Sequence, residues 1–220
     1  MFRMKRGWFA PVVAVVAFFG LSGVSTATTT KTVARSTDAV PTTSTPAPDG
    51  YHKVTVKKGG FSIAIPNAWV TLDMTRKDID ELFQRARKLA PELAASLPDD
   101  AAALTKQGVT LVAREVGSTD FNDNVLVTLT RTISSRPTPA VVRAFLHGLP
   151  NAVEVTKTTV AGVPAVQALT TNDVGTTTVY STAYYVLGKK GLLQIAFSTG
   201  EDGAQDLTVQ TMIRSLKLLG

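Results

Sequence analysis

Cysteine is absent from all 220 residues, and histidine occurs only at His52 and His147. The first absence excludes disulfides, thiolate catalysis and cysteine-ligated metal, so stability has to come from a packed core. The second leaves two imidazoles as the only candidate neutral general bases near pH 7. His52 falls where a folded domain begins, and His147 falls near a helix end, offset from the stripe that carries Phe145 and Leu149. Neither position points to catalysis. A G-x-S-x-G elbow, an H-E-x-x-H zinc motif, a Walker-type loop and a G-x-G-x-x-G turn are missing as well, which weakens hydrolase and nucleotide-binding readings.

A strong charge of one sign is lacking too. Lys and Arg number 23 against 17 Asp and Glu, a formal charge of +6. Arg3, Lys5 and Arg6 sit in the first six residues; without them 20 basic residues face 17 acidic ones, or +3. No basic run is longer than a doublet, and Lys57-Lys58 and Lys189-Lys190 are the lysine doublets. That pattern does not suggest a nucleic-acid partner. The acidic runs are equally incomplete as sites. Asp120-Phe121-Asn122-Asp123-Asn124 has the first half of an EF-hand spacing, but Val125 stands where the loop needs glycine and Arg131 where it needs a bidentate carboxylate. We expect a polar turn there and no metal or cofactor. Asp99-Asp100 and Glu201-Asp202 read as charge at helix starts.

What is present begins with an export pattern. Basic Arg3, Lys5 and Arg6 precede an apolar run from Trp8 to Leu21, and Ser25-Thr26-Ala27 supplies small residues at cleavage positions. Residues 1–27 therefore read as a signal peptide cut after Ala27, since the apolar run fades before the roughly 20 residues a membrane span needs. Leu21-Ser22-Gly23 leads into Val24 where a bacterial lipoprotein signal has its lipid-bearing cysteine. No lipid anchor can form on valine. Residues 28–50 are rich in Thr, Ser, Ala and Pro, with almost nothing large and apolar to bury, and read as a flexible linker. Residues 51–220, roughly 170 in number, are enough for one ordinary domain.

In that domain Val54 and Val56 alternate with polar residues, Gly59-Gly60 turns the chain, and Phe61, Ile63 and Ile65 share one face before Pro66. This predicts a hairpin, followed by a turn at Pro66-Asn67-Ala68 with Trp69 as an aromatic plug. Thr75 and Asp78 form a capping-box-like start to a helix with Ile79, Leu82, Phe83, Ala86 and Leu89 at helical spacing, broken at Pro91. One or two short helices are expected from Glu92 to Lys106. Strands follow at Val109–Val116 and Val125–Ile133, and a helix starts at Pro139 with Val142, Phe145, Leu146 and Leu149 inward. Further strands are expected at Val153–Val160, Ala165–Thr171, Thr177–Leu187 and Leu192–Phe197, and then a closing helix from about Gln205 to Leu218. Short turns imply antiparallel neighbours, and the order implies an α+β fold: a twisted, largely antiparallel sheet with helices packed on its faces.

Three stretches carry a resemblance. Phe61-Ser62-Ile63-Ala64-Ile65-Pro66-Asn67-Ala68-Trp69, Val160-Ala161-Gly162-Val163-Pro164-Ala165 and Thr211 to Leu218 resemble the opening, hairpin and closing helix of the PsbP-like α/β/α sandwich. With the export signal and Thr/Pro linker, the chain is similar to exported actinobacterial proteins and lipoproteins of the LpqN type. The resemblance implies a binding or assembly role without family-wide catalytic residues. It suggests a secreted or cell-wall-associated monomer whose partner is a protein or envelope component of unknown identity; the chain departs from the lipoprotein branch at Val24, so no stable membrane anchor is expected after cleavage. The alternatives are an atypical extracytoplasmic hydrolase with a crevice between sheet and helices, and a structural cell-wall protein. No ligand-binding residue is assigned; Tyr180, Tyr184 and Tyr185, on both faces of one strand, and Trp69 mark where a ligand site is to be sought.

Overall fold

The computed structural model describes residues 46–89, 101–116, 123–146, 153–174, 177–200 and 206–220. Ten strands run through them: β1 (Tyr51–Val56), β2 (Phe61–Pro66), β3 (Val70–Asp73), β4 (Val109–Arg114), β5 (Asn124–Thr130), β6 (Val153–Val160), β7 (Val163–Val174), β8 (Thr177–Gly188), β9 (Gly191–Thr199) and β10 (Lys217–Leu218). The helices are α1 (Ile79–Leu89), α2 (Ala101–Lys106), α3 (Pro139–Leu146) and α4 (Leu207–Ser215). This is the α+β architecture that the sequence order implied.

Seven strands pair in the order β3-β4-β5-β9-β8-β7-β6, every neighbour antiparallel. A smaller sheet, β1-β2-β10, lies with α4 over one face, and Phe61, Ile63, Ile65, Val209, Met212 and Leu216 meet Val127, Val186, Ile195 and Phe197 in the main core. The other face is covered in two parts. Ile79, Phe83 and Ala86 of α1 and Leu104 of α2 pack on Leu72, Val112 and Leu126, while Val142 and Leu146 of α3 pack on Val155, Val166 and Tyr185. Each large apolar side chain buried in these layers contributes about 1.5–3 kcal/mol.

Local chemistry explains most boundaries. The two-residue link between β6 and β7 has Ala161 and Gly162 both at positive φ, the type I′ geometry that matches strand twist. Asp206 caps α4, its carboxylate accepting from the backbone N–H of Thr208 at 2.6 Å and of Val209 at 3.3 Å. At α1 the expected capping box does not form. Asp73, not Asp78, takes the Thr75 amide and hydroxyl, at 2.9 and 2.7 Å, and Asp78 turns to Arg76. The short strand β3 was not announced by periodicity, because four residues show too little alternation. The predicted break at Pro91 lies outside the described residues.

The closing helix is shorter than its apolar spacing suggested. It stops at Ser215, whose hydroxyl donates to Met212 O at 2.6 Å, and Leu216 is already extended. Lys217 and Leu218 then pair with Ser62 and Phe61 as β10. Ser215 Oγ also accepts the Ala64 N–H at 2.8 Å, so one hydroxyl ties α4 to the edge of β2 beyond the reach of β10. Ala64 is buried, and its amide has no water to turn to. Ser215→Ala is therefore expected to cost about 1–3 kcal/mol, read as a lower denaturant midpoint, with Ser215→Thr recovering part of it.

Candidate binding surface

The residues singled out from the sequence do not gather into one site. Trp69 is buried in the main core at 8% exposure, its backbone N–H donating to Pro66 O at 3.1 Å, as expected of a plug. Tyr184 and Tyr185 lie on opposite faces of β8. Tyr184 packs edge-on to Phe197 in the main core and receives a hydrogen bond from Gln167 Nε2 at 3.2 Å. Tyr185 is sealed under α3. Burial pushes both hydroxyls above the usual tyrosine range. These side chains are walls of two cores, not the lining of a shared crevice. His52 is half-buried on β1 opposite Ile65. His147, Asp99-Asp100, Asp120 to Asn122 and Glu201-Asp202 lie outside the described residues. Within the polar turn, Asp123 accepts from Gly200 N at 3.1 Å and Asn124 is buried as the first residue of β5, both structural positions. Among the described residues, no three of His, Asp and Glu come together as a metal site would require, and no helix is long and apolar enough to cross a membrane.

Two features emerge only in three dimensions. The first is a polar row across the helix-covered face of the large sheet, where pairing aligns Arg114, Asn124, Ser198, Ser181 and Thr170 from β4 to β7. All five are 8% exposed or less. The row consists of a guanidinium, an amide and hydroxyls; it has no nucleophile paired with a base.

The second is a cationic end. The turns after β1 and β8 and the chain just past β5 meet at one end of the sandwich. Lys190 Nζ donates to Lys57 O, and Arg131 Nη2 donates to Lys58 O at 3.3 Å. Lys58 Nζ donates to Thr75 O at 2.7 Å. Glycine permits the approach: Gly60 has φ 78°, and a Cβ there would stand 3.1 Å from Lys190 Cδ, while one at Gly191 would collide with the Thr130 carbonyl. Lys57, Lys58, Arg131, Lys189 and Lys190 are all exposed. Their acceptors are neutral carbonyls, which hold the side chains in place without cancelling charge. Beside Thr75, Asp73 is committed to Thr75, and Asp78 is paired with Arg76 at 2.7 Å, a hydrogen bond that holds its carboxyl below the usual range. Both lysine doublets were visible in the sequence; that they share one end was not, because 130 residues of chain separate them.

No family model matches the chain, and no curated protein does. Among solved structures, it is similar to cyanobacterial PsbP (CyanoP) from Synechocystis sp. PCC 6803, at 14% sequence identity and a TM-score of 0.49, over 82% of this chain and 98% of that one. It is also similar to LpqN, involved in cell envelope biogenesis of Mycobacterium tuberculosis, at 14% identity and a TM-score of 0.42, over 79% of this chain and 87% of that one. The likeness is one of fold.

Two outcomes follow from the placement of the aromatic residues. Trp69→Ala is expected to cost about 3–5 kcal/mol, and the emission of Trp69 should be that of a buried indole; water-like emission with an unchanged denaturant midpoint would refute the plug. For the tyrosines, burial favours the neutral hydroxyl, so the folded chain keeps these protons more tightly than the unfolded chain. Their contribution is full below the ordinary tyrosine pKa of about 10 and is lost as pH rises above it through the raised folded values. Tyr185→Phe should flatten that alkaline decline, measured as denaturant midpoints across neutral to alkaline pH.

Proposed function

We propose that this chain is an extracytoplasmic binding or assembly module of the cell envelope and that it works without catalysis. In this reading residues 1–27 direct export and are removed after Ala27, residues 28–50 are a spacer, and residues 51–220 are the one working domain. The observation that carries the reading is the cationic end. Four lysines and an arginine from three separate segments lie together there, with Lys58, Lys190 and Arg131 held on backbone carbonyls. Like charges gathered on one surface draw an anionic partner to it. Solvent-facing cations of this kind suit recognition of a polyanion, whereas the aromatic side chains available to line a crevice, Trp69, Tyr184 and Tyr185, are used in packing.

The reading is tested in cells that export the protein. The recovered chain should begin at Thr28 on N-terminal sequencing, remain with the envelope fraction after a low-salt wash, and leave it in high salt. Intact Met1, or complete release into the medium at low salt, would refute it.

A further inference from the structure

We propose that the cationic end is a docking surface for an anionic phospholipid bilayer, touching the headgroups without inserting. The inference rests on the extracytoplasmic reading above and names the partner of the surface described there. Its first support is placement. β5 ends at Thr130 opposite Leu192, and β8 ends at Gly188 opposite Gly191, so Arg131, Lys189 and Lys190 lie at the same end of the sheet's strands. The hydrogen bonds from Lys190 and Arg131 bring Lys57 and Lys58 to that end. Cations clustered on turn tips at one end of a sandwich meet a plane together. A linear polyanion would instead be tracked by a stripe of charge along a face.

The second support is residue type. Four of the five cations are lysine, a compact and strongly hydrated charge suited to a diffuse layer of phosphates, whereas arginine forks select one phosphate at a time. The third support is the absence of a wedge. The exposed large apolar residues among those described are Val116, Val141 and Leu207, and none belongs to these turns. Attraction is therefore electrostatic, short-ranged and weakened by salt. At this end Gly220 lies against Lys189, with the Lys189 Nζ 3.3 Å from where a Cβ on Gly220 would stand. Near Lys58, Asp78 is paired with Arg76, and Asp73, hydrogen-bonded to Thr75, keeps its charge, which acts on Arg76.

The test is co-sedimentation of the exported protein with phosphatidylcholine vesicles, with and without phosphatidylglycerol. Binding is expected only with phosphatidylglycerol, at low salt, and should disappear as screening shortens to about 3 Å near 1 M salt. Lys57 and Lys189 have no side-chain hydrogen bond with a described residue, so Lys57→Gln and Lys189→Gln should leave the thermal midpoint unchanged. Each is expected to weaken partitioning about fivefold. Lys157→Gln, on the exposed part of β6, removes the same charge elsewhere and should have little effect. Equal binding to phosphatidylcholine alone would overturn the inference, as would a Lys157 effect matching that of Lys57. So would capture by soluble polyphosphate with no vesicle binding, which would give the surface to a free polyanion. Loss of vesicle binding with salt-sensitive envelope retention intact would overturn this inference alone and leave the binding-module reading standing.

Discussion

Everything in this molecule leans on β9. All nine of its residues are buried, because it lies between β5 and β8 in the sheet and beneath a layer on each face. Leu193, Ile195 and Phe197 face the small sheet and α4, while Leu192 and Ala196 face α3. An antiparallel sheet commonly keeps one face wet; this one is covered on both, so its central strands lose the plain alternation of apolar and polar. The covering layers exist to exclude water from this strand and its neighbours. Without cysteine, no covalent link can take over that task.

The smaller sheet is held to this core by short and local means. β10 contributes only two residues, and where its pairing with β2 ends Ser215 supplies a hydroxyl for the next amide. The last turn of α4 and the edge of β2 are thereby one unit, and the apolar side chains of Val209, Met212 and Leu216 are delivered to the core from that unit. A helix continuing to Leu218, as its apolar spacing suggested, would have left the β2 edge unpaired. Tertiary demand for backbone partners outweighed helical propensity.

The cationic end follows from the same closure. Gly60 and Gly191 allow the turns around them to approach other backbone closely, and with that approach Lys190 and Arg131 reach the carbonyls of Lys57 and Lys58. Charge is gathered by packing rather than by sequence proximity. The overall charge is modest, so a surface of this sign is visible only once the turns are placed.

By itself the sequence determined where most strands lie, since alternation and turn residues report local geometry directly. It also placed a hairpin between Val160 and Ala165, although the turn itself is only Ala161-Gly162 and Val163-Pro164 already belong to β7, and it determined the burial of Trp69 after Pro66. Only the tertiary structure decided which strands far apart in the chain are neighbours: β9 pairs with β5 across more than sixty residues of chain. Alternation says which side chains share a face, and it is silent on the partner strand. The same limit applied to β3, to the two residues of β10, to the separation of Tyr184 from Tyr185 into different cores, and to the meeting of the lysine doublets. Each depends on contacts between segments far apart in the chain, and such contacts exist only after the sheet has closed.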